Sequence, residues 1–487
     1  MENSKVVKAG AGYIVGNYML KGLSFLTIPI FSRLMSTSDY GLYNMFLAYE
    51  SILYLFIGFA IHSSYKNARY RYGIKSEKNI DVKTYENYVS TTMVLLMIST
   101  VAWLIVIFFF SNKLMLILGL NKISLLMLVI YSFGTSVIIC FNTHVALNYQ
   151  YQSFIKIAGV NAISSTLIST ILICTVYSNQ KYMGRIIGTA FPVIILAFYI
   201  IIGFFREAKP GNYQEFLGWG VKYSFPIIPH GISQVILSQF DRIMINKMVD
   251  SSAAGIYSFA YNIYAIVAVT ANSLDNVWSS WFYEQMYNGK LDRIKKQSKV
   301  YMILMVFLSV IVMFVSPEIV RLLGRQDYWT ASYSVIPIVA GGYFSFLYSI
   351  PASVEYYYAK TKLMSIGTGS AAIVNIVLNF VFINKYGYIA AAYTTLLTYL
   401  LYFIFHYLLA IKIQGFCIFS TKVMLICSVS VLVVAFAARA LVIHWIVRWI
   451  FALSAGILLI IYEEKNFRFL QIIIRKTVEH RNDKTIN

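Results

Sequence analysis

Charge is what this chain has little of. Only 12% of its 487 residues are Asp, Glu, Lys or Arg, while 59% are hydrophobic; a water-soluble chain carries roughly 25% charged residues. Stretches such as 123–155, 157–180, 363–384 and 386–411 contain none. Runs of this length exclude a soluble globular domain, because roughly 20 mainly apolar residues already suffice for a spanning helix. The apolar character is continuous rather than alternating, which argues against a barrel. Cysteine is scarce as well: Cys140, Cys174, Cys417 and Cys427 lie in or beside apolar stretches with no paired spacing. Neither a disulfide framework nor a zinc pattern follows. No Gly-x-x-x-x-Gly-Lys-Ser/Thr phosphate loop occurs, so no signal for nucleotide hydrolysis is present. The polar start Met1–Lys8 runs into an apolar span without a small-residue cleavage site, so the first span is expected to stay in the membrane.

What is present is an all-α polytopic pattern of about 14 transmembrane helices, running from 12–33 to 446–462. Counted on alternate sides of these spans, 27 Lys and Arg fall on one side and 11 on the other, with Lys21 and Arg242 inside spans. The excess side is expected to be cytoplasmic and to hold both termini. The same bias accounts for most of the +20 net charge through anionic lipid, so nucleic acid is not an expected partner. Loops are short, the longest about 20 residues, too few for a separate domain. Chemistry or recognition is therefore expected within the helix bundle.

The chain also repeats itself. IFSRLMSTSDYGLYNMF from Ile30 aligns with INKMVDSSAAGIYSFAY from Ile245, placing Gly41 on Gly255, Arg33 on Lys247 and Tyr43 on Tyr257. A second echo pairs Asn179–Gly184 with Asn384–Gly387. The repeats start six spans apart, which makes them parallel, a build in which the site lies between halves near the midplane. The expected division is an N-lobe of six spans (1–205), an inter-lobe linker (206–221), a C-lobe of six spans (222–411), and two further spans with a basic tail (412–487).

Three stretches resemble the polysaccharide-export branch of the MOP transporter superfamily, which includes Wzx-type O-antigen and capsule flippases and, more distantly, lipid II flippases and MATE exporters. They are GLSFLTIPIFSRLMSTSDYGLY (22–43), SFPIIPHGISQVILSQFDRIMINKMVDSSAAGIYSFAYNI (224–263) and AKTKLMSIGTGSAAIVNIVLNFVFINKYGYIAAAYTTLLTYLLYF (359–403). The resemblance implies a MATE-like fold with two lobes around a central cavity. It also implies flipping of undecaprenyl-diphosphate-linked oligosaccharide in the bacterial cytoplasmic membrane, with polysaccharide polymerase and chain-length proteins as possible partners. No cofactor is expected beyond a coupling H+ or Na+.

Ionisable groups inside spans are expensive and so mark candidate sites. Lys21 in span 1 and Glu50 in span 2 can lie at similar depth, as a structural ion pair or as a cavity cation with a moderating carboxylate. Asp241 and Arg242 sit in the outer part of span 7. Arginine suits bidentate diphosphate contact, so Arg242 is a candidate for that or for an interlobe salt bridge, with Asp241 as a gating partner. Arg33 and Lys247 occupy equivalent positions near the outer mouth, as a basic ring or as residues snorkelling to headgroups. Lys66 and Arg69, with His62 one turn deeper, are candidates for headgroup capture or ordinary positive-inside residues. His230 and His144 stand in apolar spans, as packing groups or proton relays. Pro226 and Pro229 should loosen the start of span 7. Asn375 and Asn379, one turn apart, should hydrogen-bond between helices.

A transporter is the leading reading. A drug or cation exporter of the same superfamily would favour acidic cavity residues, whereas basic candidates here equal or outnumber acidic ones. A polymerase or ligase would need a large outer loop, which the chain lacks.

Overall fold

The structure is a computed structural model describing residues 2–76, 79–80 and 82–466. The tail expected after residue 466 lies outside the described residues. Fourteen long helices follow one another: α1 Glu2–Leu34, α2 Thr37–Ile57, α3 Val82–Leu118, α4 Lys122–Leu147, α5 Tyr151–Cys174, α6 Lys181–Glu207, α7 Ile228–Met248, α8 Ser251–Tyr287, α9 Leu291–Leu323, α10 (Ser332–Leu347 and Ser349–Tyr357), α11 Thr361–Tyr386, α12 Ile389–Gln414, α13 Thr421–Ala440 and α14 Trp445–Asn466. The only sheet among the described residues is a hairpin of Ile74–Ser76 and Asn79–Ile80. The all-α polytopic reading holds.

Local chemistry starts several helices. The Ser36 hydroxyl accepts from the Asp39 amide at 3.0 Å and opens α2. Asn121 does the same for Ser124 at 2.8 Å and opens α4, and Asp250 for Ala253 at 2.7 Å at α8. Each satisfies an amide that has no partner inside its own helix. Two helix ends are closed by lysine: Lys181 Nζ donates to Leu34 O at the end of α1, and Lys247 Nζ to Ile117 O near the end of α3. Cations there also oppose the helix dipole.

Three segments read as loops are more ordered than the sequence suggests. Basic residues Arg293, Lys295, Lys296 and Lys299 lie on the first turns of α9 rather than in a loop. Residues 206–221 include a helix, Tyr213–Ser224, whose Phe216 and Trp219 pack against Tyr72 and Tyr88. A short 3-10 turn, Phe225–Ile227, then joins it to α7, with Pro226 and Pro229 in first-turn positions where a missing amide costs nothing. After α2 the chain turns by 52° into the helical stretch Ile61–Gly73. Phe59 and Ala60 adopt φ of 49° and 48° there, unusual for side-chain-bearing residues.

Packing divides the chain elsewhere than the repeat does. Unit 1 runs from Met1 to Ser258 and unit 2 from Phe259 to Asn487. In unit 1, α5 packs on α6, α4 on α6, and α2 on α4 and α7. In unit 2, α11 packs on α12, α10 on α12, and α9 on α10, α13 and α14. The pairs α4–α6 and α5–α6 thus have counterparts six helices later in α10–α12 and α11–α12. Helix α10 is buried over 83% of its apolar window and forms the core of unit 2, whereas α14, at 17%, faces outward to lipid. Arg448 explains how α14 tolerates an arginine: its guanidinium makes a two-pronged pair with Glu318 of α9, both bonds 2.6 Å, and donates to Phe314 O.

Candidate functional site

Five charged groups sit well inside their helices: Lys21 on α1, Glu50 on α2, Asp241 and Arg242 on α7, and Asp275 on α8. These four helices are the first two of each repeat. Helix α7 is too polar to pass as a membrane span on its own, and α8 has the lowest mean hydropathy, 1.4, of the spans that do.

In unit 1, the Glu50 side chain is buried and turns toward α4, where it hydrogen-bonds Thr135. Its Oε1 has no hydrogen-bond partner. Lys21 is exposed on α1, and no ion pair joins it to Glu50. Similar depth was insufficient because the two side chains leave their helices in different directions. Arg185 enters the same interior from the second turn of α6: its guanidinium lies 3.5 Å from the Phe31 ring centroid and 5.1 Å from that of Tyr43. Tyr43 in turn bonds Thr189 of α6 at 3.2 Å. Tyr131 of α4 feels both Arg185 and Glu50 electrostatically. One Arg185 nitrogen, Nη1, is buried without a partner.

The other candidates fall in three settings. On α7, Asp241 is fully buried and accepts from Tyr257 Oη at 2.6 Å, and Arg242 is buried with Nη1 on Ser238 O at 2.7 Å. Arg33 is exposed in the last turn of α1, while Lys247 is held on the carbonyl of Ile117. Lys66 is exposed and His62 half-buried. Arg69 is committed to the end of α4, donating to Leu147 O and Asn148 Oδ1. His230 is half-buried with Nδ1 unpartnered. Asn375 and Asn379 do join α11 to α12, through Thr395, Thr398 and Thr394.

In unit 2, two cavities, the smaller one mainly polar and the larger one mixed, meet at Asp275. One of about 110 Å³ is lined by Tyr264, Asn272, Ser345, Tyr348 and Ser349; the other, about 490 Å³, by Ser279, Tyr283, Ser353 and Tyr356. Asp275 hydrogen-bonds Ser349 across from α8 to α10. The lining offers hydroxyls, an amide and aromatic faces around one carboxylate.

Asp275 and Arg185 escaped the sequence reading for one reason. The charge-free run before Asp275 stops at residue 274, but α8 continues to Tyr287; Trp278, Trp281 and Phe282, with no glycine before Gly289, are the available signal. Arg185 was counted with the outer loop although α6 starts at Lys181.

The family model for polysaccharide biosynthesis proteins matches residues 6–279. The chain belongs to that family. A relative from Haemophilus influenzae, the Lsg locus putative protein 1, is 23% identical over 74% of this chain and 87% of its own. An uncharacterized membrane protein of Methanocaldococcus jannaschii is 21% identical over 82% and 83%. In fold, the chain is similar to the lipid II flippase MurJ in an inward closed conformation, with a TM-score of 0.68 and 16% identity over 94% of this chain and 99% of that one. It is also similar to an inward-facing multidrug resistance MATE family transporter, at 0.62 and 13% over 81% and 94%. The protein is a multi-pass membrane protein of this transporter fold.

Proposed function

We propose that this protein flips undecaprenyl-diphosphate-linked oligosaccharide repeat units from the inner to the outer leaflet of a bacterial cytoplasmic membrane by alternating access, for surface polysaccharide such as O-antigen or capsule. The observation that carries this is the placement of Lys21 and Arg242 well inside α1 and α7, in a chain of the polysaccharide biosynthesis family. A diphosphate crossing a bilayer needs cations that are otherwise too costly to keep there. Lys21 is exposed and Arg33 lies two to four turns along the same helix, so α1 offers two positive side chains to a moving headgroup. Arg242 and Lys247 are engaged within the protein in this conformation, and would serve the cargo in another. Both termini would face the cytoplasm, where Lys66 meets lipid headgroups. Polymerase and chain-length proteins would receive the product.

Deletion of the protein should leave lipid-linked repeat units on the cytoplasmic leaflet. Lys21→Ala should reduce surface polysaccharide about tenfold at normal protein abundance, the loss expected for one charge-assisted hydrogen bond. Full display in both Lys21→Ala and Arg242→Ala would remove the cationic path from the mechanism.

The ion-coupled exporter reading has one observation in its favour, the carboxylate of Asp275 between two cavities. In the flippase reading the same residue is the candidate for coupling to H+ or Na+.

A further inference from the structure

At the ends of α3, α4 and α6 that the charge bias assigns to the cytoplasm, Glu86, His144 and Glu207 converge. Each offers one ligand atom, and the three atoms lie within 4.8 Å of one another. Carboxylates are scarce in this chain, 20 Asp and Glu against 40 Lys and Arg, yet two of them meet here beside an imidazole. Among the described residues neither carboxylate forms a salt bridge with a lysine or arginine. Arg69 is close enough to act electrostatically on Glu86 and His144, but its hydrogen bonds go to Leu147 O and Asn148 Oδ1. Glu86 Oε2 is buried without a hydrogen-bond partner. The His144 side chain is only 6% exposed. Its Nε2 is held by Asn148 Nδ2 at 2.9 Å, and its Nδ1 is buried with no partner.

Unit 2 contains an instructive contrast. There Glu355 and His406 meet in direct hydrogen-bond contact, Oε1 to Nδ1 at 2.6 Å, with both side chains fully buried. In unit 1 the Glu86–His144 separation is 3.8 Å, beyond a hydrogen bond, and a second carboxylate stands beside it. Ligand atoms sharing one tetrahedral ion at about 2.1 Å lie roughly 3.4 Å apart, so closing this triad around an ion needs only side-chain adjustment. Glu207 is exposed, which provides an entry path.

We infer that Glu86, His144 and Glu207 bind a divalent transition-metal cation of the zinc or manganese type. An imidazole with two carboxylates suits such ions, whereas Mg2+ prefers oxygen ligands alone and holds its water. The fourth and any further coordination positions would be filled by water. A bound dication would neutralise both carboxylates and clamp α3 and α6 to α4. The nitrogen nearer Glu86 is Nε2, so an ion bound there would replace its hydrogen bond to Asn148 Nδ2.

The test is Zn2+ titration of the purified full-length protein in detergent, with any affinity tag removed, read by calorimetry and by thermal melting. One equivalent should bind and raise the melting temperature. Glu207→Gln and His144→Gln should each weaken binding at least about tenfold, since losing a ligand costs no less than losing its support. Glu355→Gln should leave the affinity unchanged. Because Glu207 is exposed, its variant carries the test even if His144→Gln fails to fold. Absence of binding, unaltered affinity in Glu207→Gln, or displacement of Zn2+ by equimolar Mg2+ would each overturn the inference.

Discussion

At the scale of single residues, the repeat becomes physical at its aligned glycines. Gly41 and Gly255, paired by sequence alone, face each other in unit 1: a Cβ on Gly41 would overlap Ser251 O, and one on Gly255 would overlap Thr37 O. Thr37 and Ser252 hydroxyls meet alongside at 2.6 Å. The two helix starts touch backbone to backbone, and only glycine permits it. Gly41→Ala is therefore expected to cost about 1–3 kcal/mol, the range for overpacking, because the obstacle is backbone and cannot rotate away. Gly456→Ala, where no atom lies within 4 Å, should be neutral. Thermal melting of the two variants side by side checks this; equal melting temperatures would mean the contact is not retained. The glycines were legible as a motif, but that they touch was not, since alignment says which residues correspond and nothing about their distance.

At the scale of elements, span existence was legible and span length was not. Charge-free runs mark the lipid-embedded part of a helix, but α3 and α8 each extend to 37 residues, because a helix continues beyond the bilayer as long as nothing breaks it. The same blindness hid Asp275 and Arg185. The last two spans are a different case. Arg439, His444 and Arg448 crowd the connection between them, yet Arg448 is buried against Glu318. Removing one partner of such a pair leaves a charge stranded, at a cost of about 3–5 kcal/mol. Glu318→Ala should thus lower the melting temperature sharply, while the double replacement Glu318→Leu with Arg448→Met should recover most of the loss. A double variant as unstable as the single one would show that the pair does not account for the docking of α14 on α9.

At the scale of the whole molecule, the question is what drives transport. No phosphate loop is present in the sequence, and Asp275 sits between two cavities of unit 2. Asp275→Asn keeps the hydrogen bond to Ser349 possible while removing the charge. It is expected to leave protein abundance unchanged and to abolish the dependence of flipping on an imposed H+ or Na+ gradient in vesicles. Undiminished gradient dependence would exclude Asp275 as the coupling group. The sequence by itself determined the fold class and the approximate span count, because those follow from hydropathy, which each segment carries in its own composition, while the family was legible in the stretches 22–43, 224–263 and 359–403. It also nominated α1 and α7 as the helices bearing cations, since a charge within an apolar run is visible without neighbours. Only the tertiary structure decided which charges are engaged: Lys247 on Ile117, Arg69 on Leu147, Asp241 on Tyr257, Lys21 left exposed. It alone brought Glu86, His144 and Glu207 together. The reason is that a charge inside a membrane protein is defined by its partner, and these partners lie on helices distant in sequence.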